Sequence, residues 1–178
     1  MARSAAKTAA PSTAGKTAGA AIGKTRIDIE SNSRARVAAM LNQLLADGTD
    51  MTMRTKHAHW NVKGPHFIGL HKHFDELYGV LGEHVDEIAE RTAALGGFVK
   101  GRLSDAAGAT RLKEFPESVQ EGLDVVRHIA DALGQYSNAI REGIDQAEEL
   151  DDMVTSDMLT GISGDLDKHL YFLEAHLR

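Results

Sequence analysis

Apolar residues recur at steps of three and four along four long stretches of the chain, the period of helices buried on one side. The first stretch runs from about Ser33 to Trp60, with Val37, Leu41, Leu44 and Met51 on one face, and Lys63-Gly64-Pro65 ends it. The second runs from about Phe67 to Leu95, with Phe67, Leu70, Phe74, Leu77, Leu81, Val85 and Ile88 as its stripe and Gly96-Gly97 as its stop. A connection of about twenty residues follows, longer than usual, which predicts a short helix of its own. The third pattern opens at Ser118-x-x-Glu121, read as a capping box, and shows Leu123, Val126, Leu133, Ile140 and Ile144. The acidic run Glu148 to Asp152 reads as a turn, and the last helix carries Leu159, Ile162, Leu166, Leu170, Leu173 and Leu177.

Four helices with one long connection in the middle predict an all-α, ferritin-like four-helix bundle with a short extra helix in that connection. The 178 residues suffice for one domain with a real core, and only three prolines interrupt them. With no cysteine, disulfides and thiolate metal sites are excluded. The longest apolar runs fall short of a membrane span, and the N-terminus lacks the apolar region of a secretory signal, so the sequence predicts a cytoplasmic protein.

Charge divides the chain in two. Arg3, Lys7, Lys16, Lys24 and Arg26 stand in the first 27 residues without one acid, and the net charge is −6. Removing those five cations leaves −11 on residues 28–178. Residues 1–25 are low-complexity Ala, Thr, Gly and Ser with few apolar anchors, so they are read as a disordered basic arm, with the bundle occupying 26–178. Such an arm suits non-specific, salt-sensitive contacts to DNA phosphates, which the acidic body would otherwise repel. The competing reading is a solubilising tail.

One polar stripe of the second helix carries candidate chemistry. With each residue advancing about 100° and rising about 1.5 Å, and with His71 at 0°, Asp75 falls near 40°, Asp86 near 60° and Glu90 near 100°. The stripe lies about 130° from the centre of the helix's apolar face, so it flanks the core. Asp75 and Asp86 are roughly 16 Å apart along the axis, whereas metal–ligand bonds are about 2 Å long. One helix cannot close such a site. A second copy running antiparallel across a two-fold axis can, with His71 and Asp75 of one chain meeting Asp86 and Glu90 of the other.

A single His–Asp pair at this spacing is more often ordinary polar surface. Two pairs in phase, with six of the nine histidines between positions 57 and 84, favour a metal. Imidazoles with hard carboxylates suit Fe(II), and also Mn or Zn. The Glu-x-x-His signature of di-iron sites built inside one bundle is absent, as is His-Glu-x-x-His, which disfavours a di-iron oxygenase.

His57-Ala58-His59-Trp60-Asn61-Val62-Lys63-Gly64-Pro65-His66-Phe67, then His71-x-x-x-Asp75, then His84-Val85-Asp86-Glu87-Ile88-Ala89-Glu90-Arg91, then Leu95-Gly96-Gly97 resemble the Dps family, the DNA-binding proteins from starved cells or mini-ferritins. The stretch Asp165 to His176 looks like that family's last helix, so the resemblance covers about residues 30–178. It implies a dodecameric shell that oxidises Fe(II) with hydrogen peroxide, stores ferric mineral and associates with the nucleoid. It also implies a di-iron ferroxidase centre between subunits, with His59, His71 and Asp75 from one and Asp86 and Glu90 from the other. Trp60 matches the family tryptophan beside that centre, with core packing as its plainer role. By region alone, Glu148, Glu149, Asp151, Asp152 and Asp157 correspond to the acidic pores of the family.

Three features depart from the simplest pattern. His57, His66 and His73 are extra histidines, and His57, two residues from His59, is turned to another helix face and not assigned as a ligand. Gly79 and Gly82, midway between the ligand pairs, are expected to let two such helices approach closely. A nucleoid structural protein with a vestigial metal site, and a storage mini-ferritin without DNA binding, are the alternative functions.

Overall fold

The computed structural model describes residues 22–178. It contains α1 (Ser31–Asn61), α2 (Phe67–Ala94), α3 (Leu103–Ala109), α4 (Gly122–Glu149) and α5 (Met153–Glu174), with no strand among the described residues. α1 pairs with α2 and α4 with α5, and the two hairpins join mainly through α1 and α4. The fold is the expected all-α four-helix bundle, with α3 as the short helix of the middle connection.

The apolar stripes meet in one core. Val37, Leu41, Leu44, Met51, Leu70, Phe74, Leu77, Leu81, Ile88, Val126, Leu133, Ile140, Leu159, Ile162, Leu166 and Leu173 are all buried in it. Phe67 is an exception: at the first turn of α2 it is 43% exposed and packs against the His71 ring, with centres 5.1 Å apart.

The helix ends have local causes. The Gly96 N–H donates to the Ala93 carbonyl and the Gly97 N–H to that of Thr92, both at 2.9 Å. This double closure needs a left-handed residue at Gly96, whose φ is +85°. The start of α4 differs from expectation. Glu121 is itself the N-cap, its carboxylate accepting from the Leu123 and Asp124 N–H groups, and Ser118 lies outside the helix. Gln120 is held instead by the α1–α2 turn, its carbonyl accepting from the Lys63 N–H at 2.7 Å.

The long connection is fastened to α1. Asp47, 1% exposed, accepts from the Arg111 backbone N–H and guanidinium, while Asn42 and Gln43 donate to the Phe98 and Ala109 carbonyls. The N-terminal approach is fastened to the end of α2. The Gly23 N–H donates to the Gly96 carbonyl at 2.7 Å, inside the span read from sequence as arm. Arg34, 8% exposed, donates to the Gly23, Ile29 and Leu95 carbonyls. Its charge thus sits on carbonyls that include the C-terminal end of α2, where the helix dipole is negative.

Candidate metal centre

The short turn between α1 and α2 folds the last turn of one helix against the first turns of the next. It brings His59 against His71. The His59 Nδ1–H donates to the His71 main-chain carbonyl at 2.7 Å, and the His71 Nδ1–H returns the bond to the His59 carbonyl at 2.9 Å. A carbonyl oxygen can only accept, so both rings carry their proton on Nδ1. In the neutral rings both Nε2 lone pairs then have no main-chain partner, and a backbone carbonyl on Nδ1 is the arrangement that orients histidines in metal sites generally. The rings lie 3.7 Å apart and nearly parallel.

Asp75, one turn beyond His71, places Oδ1 4.0 Å from the His59 Nε2. The Lys56 ammonium hydrogen-bonds the same carboxylate and holds it below the usual carboxylate range. Lys56 also sits 4.6 Å above the Tyr78 ring. It was missed in the sequence, although it stands one helical turn before His59 and so shares its face.

Asp86 and Glu90 are exposed further along α2, and Gly79 and Gly82 between the pairs face open space in the single chain. Among the described residues of one chain, no three His, Asp or Glu side chains are grouped to hold a metal ion. Trp60 is 62% exposed beside His59, and Ile68, which the helical period puts on the same stripe of α2, is 60% exposed. Large apolar side chains thus flank the polar pair on the surface of the single chain.

The remaining histidines have other surroundings. His57 packs edge-on against Phe115, with ring centres 5.6 Å apart, and its carbonyl accepts from the Asn61 side chain. His66 occupies the N-cap position of α2.

The acidic residues of the α4–α5 turn divide. Glu148, Glu149, Asp151 and Asp157 are exposed, but Asp152 is 1% exposed. Its carboxylate caps α5 through the Thr155 N–H and hydroxyl and pairs with Arg91 at 2.6 Å, so it has no face to offer a pore. Of the basic arm, Arg3, Lys7 and Lys16 lie outside the described residues, while Lys24 and Arg26 are exposed.

Relatives bear on the same features. A family model described as a ferritin-like domain matches residues 38–178. Over 155 residues the chain is 41% identical to the DNA protection during starvation protein of Agrobacterium fabrum, a match covering 87% of this chain and 96% of the relative. The chain belongs to the Dps family. A second Dps relative, from Brevibacillus brevis, is 36% identical over 79% of this chain and 94% of its own length. Among solved Dps structures, that of Vibrio cholerae O1, described as a member of a broad superfamily of ferritin-like diiron-carboxylate proteins, superposes with a TM-score of 0.82 at 27% identity. That superposition covers 89% of this chain and 99% of that one. The Dps of Bacillus brevis gives 0.79 at 31% identity, covering 84% and 100%.

Proposed function

We propose that this Dps-family chain is a ferroxidase and iron store that uses hydrogen peroxide to oxidise Fe(II), protecting DNA from oxidative damage. The observation that carries the reading is the reciprocal Nδ1–carbonyl pairing of His59 and His71, which leaves both Nε2 atoms without a main-chain partner, that of His59 4.0 Å from the Asp75 carboxylate. Asp86 and Glu90 of a two-fold-related copy complete the donor set, and twelve copies form the shell. The exposed Trp60 and Ile68 lie in the covered face, with Gly79 and Gly82 letting the paired α2 helices approach.

Iron is the substrate. Two Fe(II) ions each give one electron to the O–O bond of one peroxide. That bond breaks, and with two protons the oxygens leave as two waters. Neutral imidazoles bind Fe(II) and the carboxylates favour the Fe(III) product. Zn or Mn would occupy the same donors. Trp60 stands where it can intercept stray oxidising equivalents. Glu148, Glu149, Asp151 and Asp157 line the route by which iron enters the shell.

DNA binding belongs to the arm, through Arg3, Lys7, Lys16, Lys24 and Arg26, and is directed at phosphates without regard to sequence. The chain works in the cytoplasm at the nucleoid. No helix among the described residues is long and apolar enough to cross a membrane.

The test is Fe(II) oxidation with stoichiometric peroxide, followed by absorbance, in wild type beside Asp75→Ala. Fast oxidation lost in the variant supports the interface site. Equal, slow rates in both would return the stripe to ordinary polar surface and leave a structural DNA-binding protein. Deleting residues 1–21 together with Lys24→Gln and Arg26→Gln spares the Gly23 anchor, and DNA retardation retained in that variant would remove the arm from the function.

A further inference from the structure

α2 and α5 touch lightly, and the seam between them gathers imidazoles that the ferroxidase stripe does not use. His73 stands two residues from both His71 and Asp75, which turns it away from their stripe. It faces His169 of α5, with ring centres 5.4 Å apart and planes inclined by 36°. The edge-on ring of Phe172 supports both, 5.8 Å from His73 and 6.0 Å from His169. One turn earlier on α5, Asp165 accepts from His84 at 3.2 Å.

His169 is 2% exposed. The His73 Nε2 and the His169 Nδ1 are both buried without a hydrogen-bond partner among the described residues. Buried polar atoms nearly always find a partner, so two orphaned nitrogens in neighbouring rings call for a ligand. Burial lowers the affinity of His169 for a proton, which keeps it in the neutral form that binds metals.

We propose that His73 and His169 form a second metal site, taking one divalent ion of tetrahedral preference, such as Zn(II) or Co(II), between the His73 Nε2 and the His169 Nδ1. Two imidazoles sharing an ion at about 2.0–2.1 Å and a tetrahedral angle hold their ring centres about 5–6 Å apart. The observed 5.4 Å falls in that range. No third His, Asp or Glu side chain is grouped with the pair among the described residues, so water fills the other positions. The carboxylate of Glu76 is near enough to act electrostatically on both rings and adds to the attraction for a cation. The site is enclosed, lies within one chain and does not depend on the two-fold partner.

Co(II) is the probe, because its visible bands report low coordination number. Full-length Asp75→Ala, with the interface stripe weakened, is titrated beside Asp75→Ala/His169→Gln and Asp75→Ala/His73→Gln by absorbance and equilibrium dialysis. The expected result is one Co(II) per chain retained in the single variant and lost in each double variant. Using both partners separates ligand loss from misfolding of one variant. An unchanged Co(II) stoichiometry in both double variants overturns the site. His169→Gln alone is expected to leave peroxide-driven Fe(II) oxidation unchanged. A fall there would overturn the independence of the two sites without touching the ferroxidase reading.

Discussion

Arg91 of α2 and Asp152, the N-cap of α5, form an ion pair of 2.6 Å whose acid side chain is wholly enclosed. The Arg91 Nε also donates to the Thr155 hydroxyl, so one guanidinium fastens the last turns of α2 to the first turn of α5. Removing one member of a buried pair strands the other and costs about 3–5 kcal/mol. Asp152→Ala is therefore expected to lower the urea midpoint strongly at fixed protein concentration. Glu149→Ala, an exposed change three residues earlier, should stay within about 0.5 kcal/mol of wild type. Equal midpoints for the two variants would show that the enclosed pair contributes nothing.

Lys56 occupies the place of a cation at Asp75. An incoming metal must displace its ammonium from the carboxylate and then tolerate it nearby. Asp75 is half exposed, so solvent screens the competing pair and limits its effect to at most about fivefold in affinity. Lys56→Met is expected to tighten Zn(II) binding by that factor in a calorimetric titration, with Asp75→Ala as the weak-binding reference. Weaker binding in Lys56→Met would show that the lysine organises the carboxylate instead of competing for it.

The four long helices were legible because each buries one face, and burial writes its period into the sequence. The phase of His71, Asp75, Asp86 and Glu90 was legible for the same reason: they share one helix, so spacing alone sets it. What escaped depends on contacts between elements. Asp152 looked like one more acid in an exposed turn until Arg91, from another helix, enclosed it. Ser118 and Glu121 matched a capping box, yet Ser118 sits in a turn outside the helix, Gln120 is bonded to Lys63, and Glu121 caps alone. The His73–His169 pairing joins α2 to α5, and no local period connects them.

Those two histidines also set a pH dependence. Burial, the leading cause at each, pushes both below the ordinary value of 6.5, and at His73 the neighbouring His169 adds to it. The unfolded chain then binds more protons than the folded one just below pH 6.5. Stability is fully present above that value, falls as pH drops through the window, and levels off below the folded pKa values. Asp75, held down by Lys56, loses its contribution only at far lower pH, beneath the ordinary carboxylate value of 3.8. Urea midpoints at about pH 7.5 and about pH 5.5 should differ in wild type and differ by less in His169→Gln, where only the part due to His73 remains, since histidine is the group that titrates between them. An undiminished difference in the variant would assign the slope to other groups.

Gly48 and Tyr136 supply a paired test of the core. A Cβ on Gly48 would stand 2.6 Å from the Tyr136 hydroxyl oxygen and 3.1 Å from the Val85 Cγ2. The Tyr136 ring is fully buried and cannot swing aside, and its hydroxyl has no hydrogen-bond partner among the described residues. Gly48→Ala should gain up to about 1 kcal/mol of helix propensity but lose about 1–3 kcal/mol to overpacking, a net destabilisation. Tyr136→Phe removes both the orphaned hydroxyl and the clashing atom, so it should be neutral or stabilising by about 1 kcal/mol. Combining the two should restore the double variant to near wild type or above it, a coupling that a thermodynamic cycle from urea denaturation reads directly. Strict additivity of the two changes would mean that the hydroxyl is not what excludes a side chain at position 48.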